Sequence, residues 1–431
     1  VDDVGRADSS RNARRSRLPI GALPRPVLVL SVVAFCVAVG FGLVVPALPL
    51  FARDFGANKA AVGAVISTFA AMRLAAALGV GKVVDILGER VVLALGIAIV
   101  AVSSAATGFS ENYPQLLVLR GAGGIGSAMF TVSALALVLR VSDVTVRGRA
   151  AGIFQGGFLL GGIFGPVLGG PLISWSIRAP FFCYAGTLVV AGGVGLIGLR
   201  QVERPPGISP HRRSTPSNGG RRSPVTGPAP RMTIGAALRQ RPYQAALAAN
   251  AAISWAALGV RNSLIPLFVI EALHAPAVWI GVGLTLMAAA NAAVLLPAGR
   301  SADRRGRRSL LVAGCAVSGV ALVMLAVMGH IAGYLAAMVV FGVGSGLLDV
   351  APAAIVGDIA GGRGGTVVAG YQMAGDLGSV LGPVTAGWIA DAAGDRAAFW
   401  TTAVVLLGAA LLGVSASETR KISSGHAMET H

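Results

Sequence analysis

The stretch GKVVDILGER, residues 81–90, carries four charged side chains in ten positions although apolar sequence lies on both sides of it. GRSADRRGRR, residues 299–308, rebuilds the same skeleton: Gly81, Asp85, Gly88 and Arg90 return as Gly299, Asp303, Gly306 and Arg308 at one constant interval. The repeat extends outward from there. PALPLF (46–51) answers NSLIPLF (262–268) through Pro49 and Pro266, and Val62-Gly63 answers Ile280-Gly281. GIGSA (124–128) answers GVGSG (342–346), and GGIFGPVLGG (161–170) answers GSVLGPVTAG (378–387). Anchors in the same order in both halves mark two parallel repeats, expected to be related by an axis along a membrane normal.

The composition requires a membrane. The 431 residues are 55% hydrophobic and 12% charged, with a mean hydropathy of +0.75. Soluble domains carry roughly twice that share of charge. Apolar spans are expected near 26–50, 61–83, 91–110, 115–139, 149–173 and 179–199, then 243–269, 277–299, 309–330, 334–357, 366–390 and 397–417. Each is close to the ~20 residues that cross ~30 Å of hydrocarbon. The expected fold is an all-α membrane protein of twelve transmembrane helices in two pseudo-symmetric six-helix bundles, 26–200 and 243–417. Residues 1–25 form a basic tail, 201–242 a disordered linker rich in Pro, Gly, Ser and Arg, and 418–431 a second tail.

The formal charge of +17 is placed unevenly: arginines fill the first tail, the linker and alternate loops, while the other loops hold only Arg53, Lys59, Arg178 and Arg396. That bias puts both termini in the cytoplasm and leaves no soluble module for nucleic acid. The polar, Arg-rich start lacks a small-residue cleavage site, so a retained first helix is expected. The three cysteines lie in spans without CxxC spacing, no P-loop is present, and no His, Cys, Ser or acid cluster converges. Enzymatic chemistry, a cofactor and a metal site are not expected.

Both charged turns fit Gly-x-x-x-Asp-x-x-Gly-x-Arg, and over nearly all its spans the chain resembles the major facilitator superfamily. The resemblance implies a cytoplasmic latch in which Asp85 and Arg90 brace one half against the other. The glycines would allow a tight turn and close helix approach, and the aspartate would accept hydrogen bonds at a neighbouring helix N-terminus. GGIFGPVLGG, through Gly161, Gly165, Pro166, Gly169 and Gly170, resembles the fifth-helix signature of exporters that work as antiporters. FGLVVPALPLF (41–51) is a shorter likeness to the twelve-span drug/proton antiporters. LVLRGAGGIGSA (117–128) fits Arg-x-x-x-Gly-x-Gly through Arg120, Gly124 and Gly126, a pattern whose arginine the family links to proton transfer. Gly123 replaces the usual glutamine there.

Five ionisable residues fall at bilayer depth, where charge is costly and marks function: Arg73, Arg120, Arg261, Asp349 and Asp376. Helices 2 and 11 pack together in the family fold, so an Arg73–Asp376 ion pair is expected across the halves. Helices 1, 4, 7 and 10 line the family's cavity, which would bring Asp349, the candidate proton carrier, to face Arg120 and Arg261. Burial and a nearby guanidinium pull a carboxylate's protonation in opposite directions, as proton coupling needs. Three buried arginines against two aspartates suit an anionic cargo better than a cationic one. The first span has no acid, unlike several drug/proton antiporters.

The resemblance thus implies a monomeric secondary transporter of the inner (plasma) membrane that exchanges a small amphipathic substrate for protons by alternating access. An importer or exporter of an anionic metabolite with the same fold remains open, as does a non-transporting membrane sensor or scaffold.

Overall fold

The computed structural model describes residues 24–142, 147–200, 233–360 and 365–419, without the side chains of residues 147, 148, 296 and 303–305. Among the described residues there are twelve long helices. The first half contains α1 (Arg25–Asp54), α2 (Lys59–Leu87), α3 (Glu89–Gly108), α4 (Tyr113–Val141), α5 (Arg147–Trp175) and α6 (Ala179–Gly198). The second contains α7 (Arg241–Ala272), α8 (Val278–Arg305), α9 (Arg307–Val327), α10 (Ile331–Ala360), α11 (Gly365–Ala393) and α12 (Asp395–Ser415). Every expected span is present. Eleven are both long and apolar enough to cross a membrane; α11 has 29 residues, but Gln372, Asp376 and its glycines dilute its hydropathy.

Helices are the local answer because lipid offers no partner for a free N–H or C=O, and a helix bonds its own. Their ends are set by side chains and glycines. Asn58 caps α2 by accepting from the Ala61 N–H at 2.8 Å, and Asn112 caps α4 by accepting from the Gln115 N–H at 3.0 Å. The α2–α3 corner turns at Gly88 (φ 84°) and the α8–α9 corner at Gly306 (φ 99°), a backbone region that favours glycine. This is why the charged turn keeps its second glycine in both copies.

The two halves repeat each other's packing. In the first, α1 lies on α5 and α6, α3 on α4 and α6, and α2 on α4; in the second, α7 lies on α11 and α12, α9 on α10 and α12, and α8 on α10. A Cβ on Gly165 would lie 2.6 Å from the Gly42 Cα, and one on Gly259 would lie 2.6 Å from the Gly382 backbone. Lipid is as apolar as a side chain, so close backbone approach at small residues holds such helices together. Even an ion pair recurs, with its polarity reversed. Glu89 at the start of α3 binds Arg140 of α4 at 3.0 Å, and Arg307 at the start of α9 binds Asp358 of α10.

Between the halves, α2 packs on α11 and α5 on α8. A Cβ on Gly63 of α2 would come within 2.0 Å of the Pro383 carbonyl oxygen of α11, and one on Gly281 of α8 within 2.4 Å of the Pro166 carbonyl oxygen of α5. Ser67 Oγ donates to the Val380 carbonyl at 2.5 Å. At the end of the bundle away from the charged turns, ion pairs complete the contact. Arg53 Nε binds Glu271 at 2.8 Å, and Lys59 Nζ binds Asp395 at 2.6 Å. The Asp391 carboxylate accepts the Lys59 and Ala60 N–H groups at 3.0 and 2.8 Å, an anion at the N-terminus of α2.

Two boundaries differ from the sequence reading. Residues 233–242, assigned to the linker, are folded: a short helix, Ile234–Leu238, leads into α7. Ala237 and Tyr243 are buried, and the Tyr243 hydroxyl donates to the Val367 carbonyl at 2.7 Å, which fixes this segment to α11. Glu418, assigned to the tail, accepts the Arg307 and Arg308 N–H groups at 3.0 and 3.2 Å. Residues 1–23, 201–232 and 420–431 of the tails and linker lie outside the described residues.

Gly63→Val and Gly281→Val should each lower stability by about 1–3 kcal/mol through overpacking. Gly408→Val, where a Cβ meets nothing within 4 Å, should change it little. Thermal unfolding of the purified protein measures both. Glu89→Arg and Arg140→Glu singly should each cost up to about 1 kcal/mol, as partly exposed pairs do. The double variant should recover most of that loss, because it copies the polarity already present in the other half.

Candidate functional site

A cavity of about 190 Å³ lies between the halves, walled by α1, α2, α4, α7 and α11. Arg73 marks its depth: it stands fourteen residues from either end of α2, ~21 Å at ~1.5 Å per residue. Phe41, Val44, Val45 and Leu48 of α1, Ile66 and Phe69 of α2 and Leu258 of α7 form its apolar wall. Arg73, Arg120, Arg261, Asn262, Asp376 and Ser379 form its polar one.

The Arg120 guanidinium carbon lies 4.6 Å from the centre of the Phe69 ring. Arg120 is only 6% exposed, and its Nε is buried without a hydrogen-bond partner. Arg261 is held differently. Its Nε donates to Asn262 Oδ1 at 2.9 Å, and its Nη1 lies 3.9 Å from Met287 Sδ. Both Arg261 and Asn262 sit in a wider π-helical stretch, Ala256–Leu264, one of two in α7. Pro266 and the close approach of Gly259 to Gly382 accompany this irregular winding. Such π turns recur at functional positions.

The expected Arg73–Asp376 ion pair is not formed. Both residues line the cavity on the packed helices α2 and α11, and Asp376 senses the charge of Arg73, yet no ion pair joins them. Asp349 also differs from expectation. The cavity wall is completed by α2 and α11 rather than α10, so Asp349 does not face Arg120 across it. Instead Asp349 accepts from Asn291 Nδ2 of α8 at 2.8 Å, while the same nitrogen lies 3.0 Å from Ser345 Oγ, and Arg261 acts on it at longer range. Asp349 keeps exposed surface. Sequence reasoning missed Asn291, Asn262 and Phe69; an amide inside an apolar span was the available signal for the two asparagines.

The charged turns brace their own halves. Arg90 Nη2 donates to the Leu196 carbonyl at 3.0 Å in the last turn of α6, and Arg308 donates to the Val414 carbonyl in the last turn of α12. Each arginine satisfies a carbonyl that a helix end leaves open. Asp85 is exposed and has no hydrogen bond or ion pair among the described residues. The Asp303 side chain lies outside the described residues. A Cβ on Gly81 or Gly299 would meet nothing within 4 Å, so these two glycines make no close helix approach in this conformation. At the N-terminus of α9 the Glu418 carboxylate accepts the Arg307 and Arg308 N–H groups. Among the described residues Asp85 and Arg90 make no hydrogen bond or ion pair with the second half, while the opposite face is clamped by ion pairs.

The α5 signature is a packing surface with two sides. Gly161, Gly165 and Gly169 lie against α1, where Cβ atoms would come within 2.6, 2.6 and 3.0 Å of Ala38, Gly42 and Leu43. The Pro166 carbonyl and Gly170 face the other way, onto Gly281 and Val278 of α8 in the second half, while the Pro166 ring lies against Gly42 of α1. The signature therefore joins the first half's core to the second half.

The family model described as Major Facilitator Superfamily matches residues 30–281 and 247–427. Among curated proteins, the chain is similar to multidrug resistance protein 1 of Bacillus subtilis, 28% identical over 172 residues, 40% of this chain and 44% of that one. It is also similar to quinolone resistance protein NorA of Staphylococcus aureus, 27% identical over 164 residues, 38% of this chain and 42% of that one. These matches span less than half the length of either relative. Among solved structures, the fold is similar to a bacterial homologue of the human lysosomal transporter Spinster in an inward-facing, unoccupied conformation. That likeness has a TM-score of 0.74 at 15% identity and covers 93% of this chain and 98% of that one. The human organic anion transporter MFSD10 aligns with a TM-score of 0.63 at 17% identity, covering 91% of this chain and all of that one. With a family model covering nearly every span of two similarly packed six-helix bundles, the chain belongs to the Major Facilitator Superfamily.

Proposed function

We propose that the protein is a proton-coupled antiporter that carries small amphipathic compounds out of the cell by alternating access. The observation that carries this reading is the asymmetry of the closure between the halves. Arg53, Lys59, Glu271 and Asp395 tie them together at one face, Asp85 and Arg90 make no bond across the halves among the described residues at the other, and a cavity with ionisable groups lies between. A rocking motion would release the first set of contacts and engage the second. The arginine bias of the loops supports a cytoplasmic location for the face that bears the charged turns.

Two carboxylates support coupling to protons. Asp376 in the cavity and Asp349 beside it have arginines nearby but no ion pair. A carboxylate that is not locked to a cation can gain and lose a proton as the halves move. The outward direction is supported by the α5 signature and by the drug-resistance names of the partial relatives.

Everted membrane vesicles bathed in anionic and cationic fluorescent dyes test the proposal. Dye should be pumped into the vesicles under a pH gradient, and collapsing the gradient should abolish the flux. Asp376→Asn and Asp349→Asn should each reduce it at least tenfold. Asp85→Asn should slow transport without lowering the unfolding temperature, because its side chain is exposed here and would act only in the other conformation. Absence of gradient-driven flux for every dye would favour a sensor or scaffold and overturn the antiporter reading.

A further inference from the structure

We propose that the cavity binds a small organic monoanion with a flat apolar body, for which aryl carboxylates are the simplest members of the class. The inference rests on the transport reading and names the kind of cargo that reading leaves open. It begins with charge. Arg73, Arg120 and Arg261 share the cavity with one lining carboxylate, Asp376, and Asp349 acts on Arg261 from outside the wall, which leaves a surplus of one positive charge at mid-span. Unpaired charge at that depth is costly, and the carboxylates named here leave one cation without an anion.

The three arginines are not equally occupied. Arg261 spends its fork on Asn262 and Met287. Arg73 is exposed and forms no ion pair with Asp376. Arg120 is the decisive one: it is 6% exposed, lines the cavity, makes no hydrogen bond or ion pair among the described residues, and rests on Phe69. A guanidinium held this way presents a planar set of donors that matches a carboxylate in two parallel bonds.

The rest of the wall fits the body of such a ligand. The Phe41 and Phe69 rings lie 6.1 Å apart at 36°, beside aliphatic side chains of α1 and α7. They offer aromatic faces and edges to a flat ring. Size limits it further. At about 190 Å³ the cavity is smaller than the roughly 300–1,000 Å³ of drug-sized sites, so a single-ring acid suits it in this conformation. A cation of the same shape would meet three like charges, and a neutral analogue would leave Arg120 without its acceptor.

The test uses the purified full chain and three probes that share one ring: benzoate, benzamide and benzamidine, carrying negative, zero and positive charge. Calorimetric titration and the shift in unfolding temperature both read binding. Benzoate should bind saturably, at least tenfold more tightly than either analogue. Arg120→Gln should weaken benzoate at least tenfold, and Arg120→Lys should recover part of the loss, with unchanged elution in size exclusion as the check on folding. If Arg120→Gln does not fold, Arg73→Gln takes its place, with a smaller loss of at least about threefold expected from removing one cavity cation. Benzamidine or benzamide binding as tightly as benzoate, no saturable benzoate binding, or unaltered affinity in the folded arginine variants would each overturn the proposal. Selective benzoate binding without pH-driven flux would sink the transport reading and leave this site standing. Gradient-driven dye efflux without any preference for the anion would do the reverse.

Discussion

Backbone approach between helices, made possible by missing side chains, is the constraint on which the rest of the molecule depends. In lipid there is no water to drive apolar surfaces together, so helices associate through packing and a few polar contacts. Gly63 under the Pro383 carbonyl and Gly281 under the Pro166 carbonyl bring the halves together along two seams. Both seams pair a glycine with a proline inside a helix, at equivalent places in the two repeats. Between them the helices diverge enough to leave a cavity. Were those seams wider, the Arg53, Lys59, Glu271 and Asp395 clamp would not close and the arginines would not share one chamber.

The repeat also separates what is structural from what is specialised. Features present in both halves, such as the arginine on the last turn of α6 and of α12, serve each bundle's integrity. The Glu89–Arg140 and Arg307–Asp358 pairs make the point more strongly: the ion pair is retained while its charges change places. Features confined to one half are the functional candidates. Arg73 and Arg120 have no charged counterparts at the equivalent sites of the other repeat, which hold Asn291 and Met338. The symmetric frame thus carries an asymmetric interior.

Much of the frame was legible from residues alone. Spans of apolar sequence, the motif glycines at the α2–α3 and α8–α9 corners, and the order of the repeat anchors all express local rules. A helix needs about twenty apolar residues to cross lipid, and a corner with positive φ needs glycine. The candidate site was legible only as a set of residues. Arg73, Arg120, Arg261 and Asp376 do meet in one chamber, but the expected Arg73–Asp376 pair is open, and Asp349 is held by Asn291.

The amino-acid sequence by itself determined that this is a membrane protein of two six-helix repeats with charged turns, because hydropathy and turn chemistry act over a few residues at a time. Tertiary structure alone decided which charges face one another. The π-helical stretches of α7 add a residue per turn, rotating the remainder of the helix by about 100° for each residue gained, so no simple helical period places Arg261 and Asn262 on the cavity together. The distance between Arg73 and Asp376 is set by how far the halves have parted, a degree of freedom that belongs to neither helix. Contacts of that kind depend on rigid-body placement, and a linear chain does not encode them one residue at a time.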